Sequence, residues 1–148
     1  MPDSPFWVFK AGRDRVWYTL TLNPSKKSEL ALLFADKRFV MSKVLFEKQK
    51  PDMAFSTLTK AEKYLEMAAS EEAKARQKEM DTSDLLTKIA TASLKHRELI
   101  GEILMFAPED AKPQIIIVEN KVENIYKAVK EVLNSRGMPA PISPFDGD

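Results

Sequence analysis

The fold is decided by residues 115–132, IIIVENKVENIYKAVKEV, in which apolar side chains return at alternating intervals of three and four residues. The repeating positions are Ile115, Val118, Val122, Ile125, Val129 and Val132. This spacing places one continuous apolar stripe along a helix. A strand is the alternative for Ile115–Val118, because those residues are β-branched. The spacing is sustained over the whole stretch, however, and therefore favours a helix.

Capping residues and prolines mark the other helices on either side of this stretch. Helices are predicted to start at Pro5, at Pro24, at Pro51, after a cap at 81–83, and after Pro108 with a bend or delay at Pro113. The sequence thus predicts an all-α bundle of about five helices, a short N-terminal one followed by four longer antiparallel ones. Residues 1–136 form a single helical domain in this interpretation, and residues 137–148 form a proline-rich tail or linker.

The helix from Pro24 carries two apolar stripes. The main one contains Leu30, Leu33, Phe34, Met41, Val44 and Leu45. The second has an interval of seven residues and contains Leu32, Phe39 and Phe46. A helix that is apolar on two sides is either central in its domain or carries an intermolecular interface. We therefore take Leu32, Phe39, Phe46 and the N-terminal Trp7 as candidate interface residues.

The helix from Pro51 changes character along its length. Its first part has a repeat of small residues at intervals of seven, which allows a neighbouring helix to approach closely: Ala54, Ala61, Ala68 and Ala75. From Ser70 onward the charged sequence predicts a solvated extension beyond the core, with ion pairs Glu72–Arg76 and Glu71–Lys74.

Composition excludes most catalytic and metal-binding classes. The 148 residues carry a formal net charge of +1 and contain no Cys, one His and four Gly. Without cysteine there is no disulfide framework, thiolate metal site or cysteine nucleophile. The near-neutral charge does not favour a nucleic-acid partner. We predict a protein that is not an enzyme, with no catalytic residues, no metal and no cofactor.

His96 is the one imidazole, and it lies seven residues from both Ile89 and Ile103 on an apolar helix face. The sequence predicts a buried imidazole that is hydrogen-bonded to a neighbouring side chain. The alternative is a pH-sensitive residue, since burial can move the pKa of histidine across the physiological range.

Residues 1–28 interleave aromatic side chains with five basic and two acidic residues. In one interpretation Phe6, Phe9 and Trp17 pack on the second stripe of the following helix, with the basic residues pointing outward. In the other, this N-terminal side lies near a membrane surface.

Four stretches carry a family resemblance: residues 2–6 (PDSPF), 23–30 (NPSKKSEL), 34–38 (FADKR) and 94–96 (LKH). Together they resemble a bacterial helical family of unknown function, usually extracytoplasmic, whose members open with a Leu-Pro-Asp-Ser-Pro-type motif. The resemblance implies a domain outside the cytoplasm with no known enzymatic activity. Where that family usually continues with Leu-Ala-Glu, this chain has Phe39-Val40-Met41. The change enlarges the second stripe and favours an added packing partner or a dimer contact.

These observations predict a non-catalytic extracytoplasmic interaction or sensing module of unknown ligand. The resemblance, the absence of catalytic constellations and the proline-rich tail lead us to expect the soluble part of a membrane-tethered or secreted bacterial protein. Its partner is expected to be an unknown protein or a second copy of itself. The alternative is a cytoplasmic helical adaptor or scaffold related to helix-pair repeats.

Overall fold

A computed structural model describes residues 23–145, which form four helices. They are α1 (Pro24–Glu47), α2 (Pro51–Gln77), α3 (Ser83–Phe106) and α4 (Lys112–Ser135). No strand occurs within these residues, so the all-α prediction is confirmed and the strand alternative for Ile115–Val118 is wrong. The predicted short N-terminal helix lies outside the described residues, and the five-helix count stays a prediction.

Prolines and a capping side chain mark the starts of the helices. Pro24 and Pro51 occupy first-turn positions, where a missing backbone N–H costs nothing. Asn23 caps α1 by accepting a hydrogen bond from the backbone of Ser25 at 2.9 Å. Of the two effects expected from Pro113, delay is the one observed, because α4 begins at Lys112 rather than directly after Pro108.

Three of the helices end in the same hydrogen-bonded motif, with one residue in the left-handed region. These residues are Gln49 (φ 58°), Glu79 (φ 63°) and Gly137 (φ 71°). After α1, for example, the Lys50 N–H donates to the Leu45 carbonyl at 3.0 Å. The resulting sharp turn folds α2 back along α1 as an antiparallel hairpin.

Close backbone approach holds α1 against α2. The hydroxyl of Ser42 donates to the Ala54 carbonyl at 2.8 Å, and that of Ser28 donates to the Ala68 carbonyl at 2.6 Å. The predicted alanine repeat is fully buried: Ala54, Ala61, Ala68 and Ala75. Small side chains at these positions let the serines reach the partner backbone.

The first helices of the two hairpins run parallel to each other. Going along α1, successive residues contact successive residues of α3: Glu29 with Lys88, Asp36 with His96, and Lys43 with Glu102. Around the bundle the helices therefore follow the order α2, α1, α3, α4, and α2 also contacts α4.

Only one of the two apolar stripes of α1 faces the core. Leu32, Phe39 and Phe46 are buried in the core, so the second stripe packs inside the chain's own bundle. Leu33 and Met41 belong to the stripe that the sequence analysis takes as the main one, and both are about half exposed. The core side of α1 was thus misjudged, because the small residues that complete it carry no hydrophobic signal: Ser28, Ala31, Ala35 and Ser42.

The second half of α2 is not a solvated extension, and that prediction is wrong. Glu71, Glu72 and Ala75 are buried. Both predicted ion pairs are present, but the Glu72 carboxylate also accepts a hydrogen bond from Thr82 at 2.7 Å, which fixes the loop before α3.

Part of the predicted tail folds back onto the domain. The Tyr126 hydroxyl donates to the Pro141 carbonyl at 2.5 Å, and the Arg97 guanidinium lies 4.3 Å from the ring centre of Phe145. Residues 138–145 are therefore anchored on α3 and α4. Within residues 23–145, no helix combines the length and apolarity needed to cross a membrane.

Candidate functional site

Large exposed apolar side chains gather at one end of the bundle. The parallel pairing of α1 with α3 brings the last turns of those helices together with the first turns of α2 and α4. We define the apolar end by the exposed side chains there: Met53, Met105, Phe106, Ile116 and Ile117. Met105 is 79% exposed and Phe106 is 53% exposed. A cluster of this kind on a folded surface marks a contact site more often than a scattered apolar residue does.

An open cleft of about 350 Å³ lies between the two connections at this end. It is lined by Phe46, Gln49, Pro51, Phe106 and Pro108. Two of these residues are prolines and Gln49 holds a left-handed backbone, so the rim is built from constrained backbone. None of the five side chains ionises in the physiological range. The cleft can therefore bury an apolar group but supplies no acid, base or nucleophile.

The charges around the apolar end are of both signs. The sequence places Glu47, Lys48, Lys50, Asp52, Glu109, Asp110 and Lys112 there. With three basic and four acidic residues, the rim has no strong field of one sign. It matches a protein surface of mixed charge better than it matches a polyanion.

The apolar end lies at the C-terminal end of α1, opposite Asn23, which precedes the first turn of that helix. Since α1 has 24 residues, roughly 36 Å of helix separates the two ends.

The predicted site residue His96 links α1 to α3. Its side chain is 1% exposed, and its Nε2 lies 2.5 Å from Oδ1 of Asp36, whose side chain is half exposed. The imidazole stacks on the Phe39 ring at a centroid distance of 4.0 Å. Nδ1 is buried with no hydrogen-bond partner.

Burial lowers the pKa of His96, while the hydrogen bond and charge of Asp36 act in the opposite direction. The ring is therefore neutral at pH 7, with Nε2–H donating to Asp36 and Nδ1 carrying the lone pair. His96 is a buried polar contact between helices in this structure, and its predicted pH sensitivity remains to be tested.

The other predicted interface residues have different locations. Leu32 and Phe39 are buried among α1, α2 and α3 and have no exposed face to offer a partner. Phe46 is 2% exposed and lines the cleft. Trp7 lies outside the described residues. The sequence reasoning missed Met105 and Phe106, although both fall next to the helix-ending Ala107–Pro108 step and off the stripe of α3.

Glu62 is a buried carboxyl group that the sequence reasoning also missed. It is 2% exposed and its Oε1 has no hydrogen-bond partner. Burial first, and then the adjacent Glu66, raise its pKa to about 7. Its spacing, four residues after the buried Leu58 and three before the buried Leu65, is the signal that identifies it in the sequence. Within the described part of the chain, no group of three or more His, Cys, Asp or Glu residues is arranged to hold a metal ion.

Comparison with known families decides the identity of the chain. A family model for a domain of unknown function, DUF5667, matches residues 1–134. The chain belongs to the DUF5667 family. The comparisons with curated proteins and with solved structures gave no match. The expectation of a family of unknown function is thus confirmed for this DUF5667 domain. Its bacterial, extracytoplasmic setting remains an expectation.

Proposed function

We propose that this DUF5667 domain is a non-catalytic, extracytoplasmic interaction module that associates through its apolar end. The observation that carries the proposal is the exposure of Met53, Met105, Phe106, Ile116 and Ile117 at the end of the bundle where Phe106 also lines an open cleft. Burial of apolar surface is the dominant driving force of most protein–protein association. Large flexible methionines suit such a contact, because they adapt to irregular partner surfaces.

A second copy of the domain is the partner that this end fits best. An isologous contact brings the same patch of two chains together, so it requires a surface that is complementary to itself. A rim of mixed charge is compatible with that requirement: Lys48 and Lys50 of one copy can meet Asp52 and Asp110 of the other, while Lys112 and Glu109 already pair within each chain at 2.6 Å.

The extracytoplasmic location and a tether on the N-terminal side both rest on the family resemblance. The alternative, a cytoplasmic adaptor related to helix-pair repeats, receives no support from the family match.

Sedimentation velocity over a concentration series tests the proposal. We expect the wild-type chain to show a reversible monomer–dimer equilibrium and Phe106→Glu to remain monomeric. The matched control is Met67→Glu, since Met67 is 43% exposed on α2 outside the apolar end, and it should dimerise like the wild type. A wild type that stays monomeric at the highest concentration, or equal loss of dimer in the control, overturns the proposal.

A further inference from the structure

The outer side of α1 is an apolar stripe separate from the apolar end. Its members are Leu33, Val40, Met41 and Val44, which are 48%, 50%, 55% and 38% exposed. They lie on the side of the helix opposite Phe39 and Ala35, which are completely buried. A helix that is apolar on both its inner and its outer side is normally covered on both.

We propose that residues 1–22 of the same chain cover this outer stripe and complete the domain. The segment is rich in large apolar side chains: Phe6, Trp7, Val8, Phe9, Val16, Trp17, Tyr18, Leu20 and Leu22. It directly precedes Asn23, the N-cap residue of α1, whose backbone is extended.

The dimensions of the segment fit the stripe. From Leu33 to Val44 the stripe extends over about 17 Å of helix. The helix predicted from Pro5 to Leu20 measures about 24 Å at the same rise. In an arrangement antiparallel to α1, we expect Trp17 to lie near Leu33, and Phe6 and Phe9 to lie near Met41 and Val44.

The family match supplies independent support. The DUF5667 model begins at residue 1 and ends at residue 134, so the family unit includes the N-terminal segment with the four helices. It excludes the proline-rich residues that follow α4. A segment that belongs to the same unit, and that carries the apolar residues needed to cover an exposed helix side, is a more economical occupant than a second copy.

Tryptophan fluorescence tests the proposal cleanly, because the only two tryptophans of the chain are Trp7 and Trp17. In a Trp7→Phe background, Trp17 is the single reporter. We expect its emission to be blue-shifted relative to the urea-unfolded chain and its quenching by acrylamide to be reduced. Adding Met41→Glu should shift the emission to the red and increase quenching, while far-ultraviolet circular dichroism keeps the helical signal of the bundle.

The matched control is Met105→Glu, which introduces the same charge at an exposed methionine on α3, and it should leave Trp17 emission unchanged. Emission of Trp17 that already equals that of the unfolded chain overturns the proposal, as does the same red shift in both variants. Loss of dimer in Met41→Glu without any change in Trp17 emission assigns the stripe to a second copy and also overturns it.

Discussion

The Nε2 of His96 lies 2.5 Å from Oδ1 of Asp36, so that a buried residue of α3 is tied to a half-exposed carboxylate of α1. The Asp36 end of this hydrogen bond is accessible to solvent, whereas the His96 end is buried. The Phe39 ring closes one face of the imidazole, and Nδ1 has no partner to stabilise a second proton. The neutral ring therefore suits this position better than the charged one does.

The first prediction concerns the pH dependence of stability that His96 confers. Because the pKa of His96 is lower in the folded chain than its ordinary value of 6.5, the unfolded chain binds more protons below that pH. The contribution of His96 is therefore fully present above pH 6.5 and is lost as the pH falls. Urea unfolding at pH 7.5 and pH 5 should show a smaller loss of stability for His96→Gln than for the wild type. A parallel loss in both proteins contradicts the prediction.

The pH dependence of stability that Glu62 confers has the opposite sign to that of His96. Its pKa is raised to about 7 from 4.5, so the folded chain retains a proton that the unfolded chain releases. This contribution is present below pH 4.5 and is lost as the pH rises through 7. Glu62→Gln should raise the free energy of unfolding by about 3 kcal/mol at pH 8 and change it little at pH 4.5. Between pH 5 and 7 the effects of His96 and Glu62 oppose each other in the wild type.

A double variant separates these two effects. With both His96→Gln and Glu62→Gln, the dependence of stability on pH between 5 and 7 should be flatter than in either single variant. The two side chains lie on different helices, α3 and α2, and share no hydrogen bond, so their effects should be nearly additive. If urea unfolding of the double variant differs strongly from the sum of the two single changes, the two residues do not act independently and the prediction is contradicted.

Glu72 is expected to be the most sensitive charged residue of α2. Its carboxylate accepts from Arg76 Nε at 3.0 Å and from the buried Thr82 hydroxyl at 2.7 Å. Glu72→Ala leaves that hydroxyl without an acceptor and should cost about 2 kcal/mol. Glu71→Ala is the matched control, because Glu71 pairs with Lys74, whose side chain is 59% exposed, and it should cost less than about 1 kcal/mol. Equal losses in thermal unfolding contradict the role given to Thr82.

The turn between α1 and α2 predicts a stabilising substitution. Gln49 has a φ of 58°, a conformation that costs most side chains about 1 kcal/mol relative to glycine. Gln49→Gly should therefore raise stability by about 0.5–1 kcal/mol. Lys48→Gly, one residue earlier at a φ of −82°, should lower it by about as much, because glycine adds freedom to the unfolded chain. Thermal unfolding of a dilute sample measures both.

The sequence predicted the helices better than their packing. Proline and cap positions placed the starts of α1 and α2 correctly, because helix termini depend on local chemistry. The sequence could not show which of the two apolar sides of α1 faces the core. The inner side is completed by the small polar residues Ser28 and Ser42, which give no hydrophobic signal. Those serines are buried only because the backbone of α2 accepts their hydrogen bonds.

The candidate site was harder to predict for the same reason. Met105 and Phe106 occupy the last turn of α3, and Met53 the first turn of α2. The local sequence does not indicate that these turns lie close together in the fold. Their proximity follows from the parallel alignment of α1 and α3, which is a property of the tertiary fold.

Single-cysteine variants test association through the apolar end most directly, because the chain has no cysteine of its own. Met105→Cys should form an intermolecular disulfide rapidly under mild oxidation at concentrations where the wild type dimerises. Met67→Cys, exposed elsewhere on the bundle, should remain largely monomeric under the same conditions, as read by non-reducing electrophoresis. Equal cross-linking of the two variants, or none in Met105→Cys, would contradict the proposed contact surface.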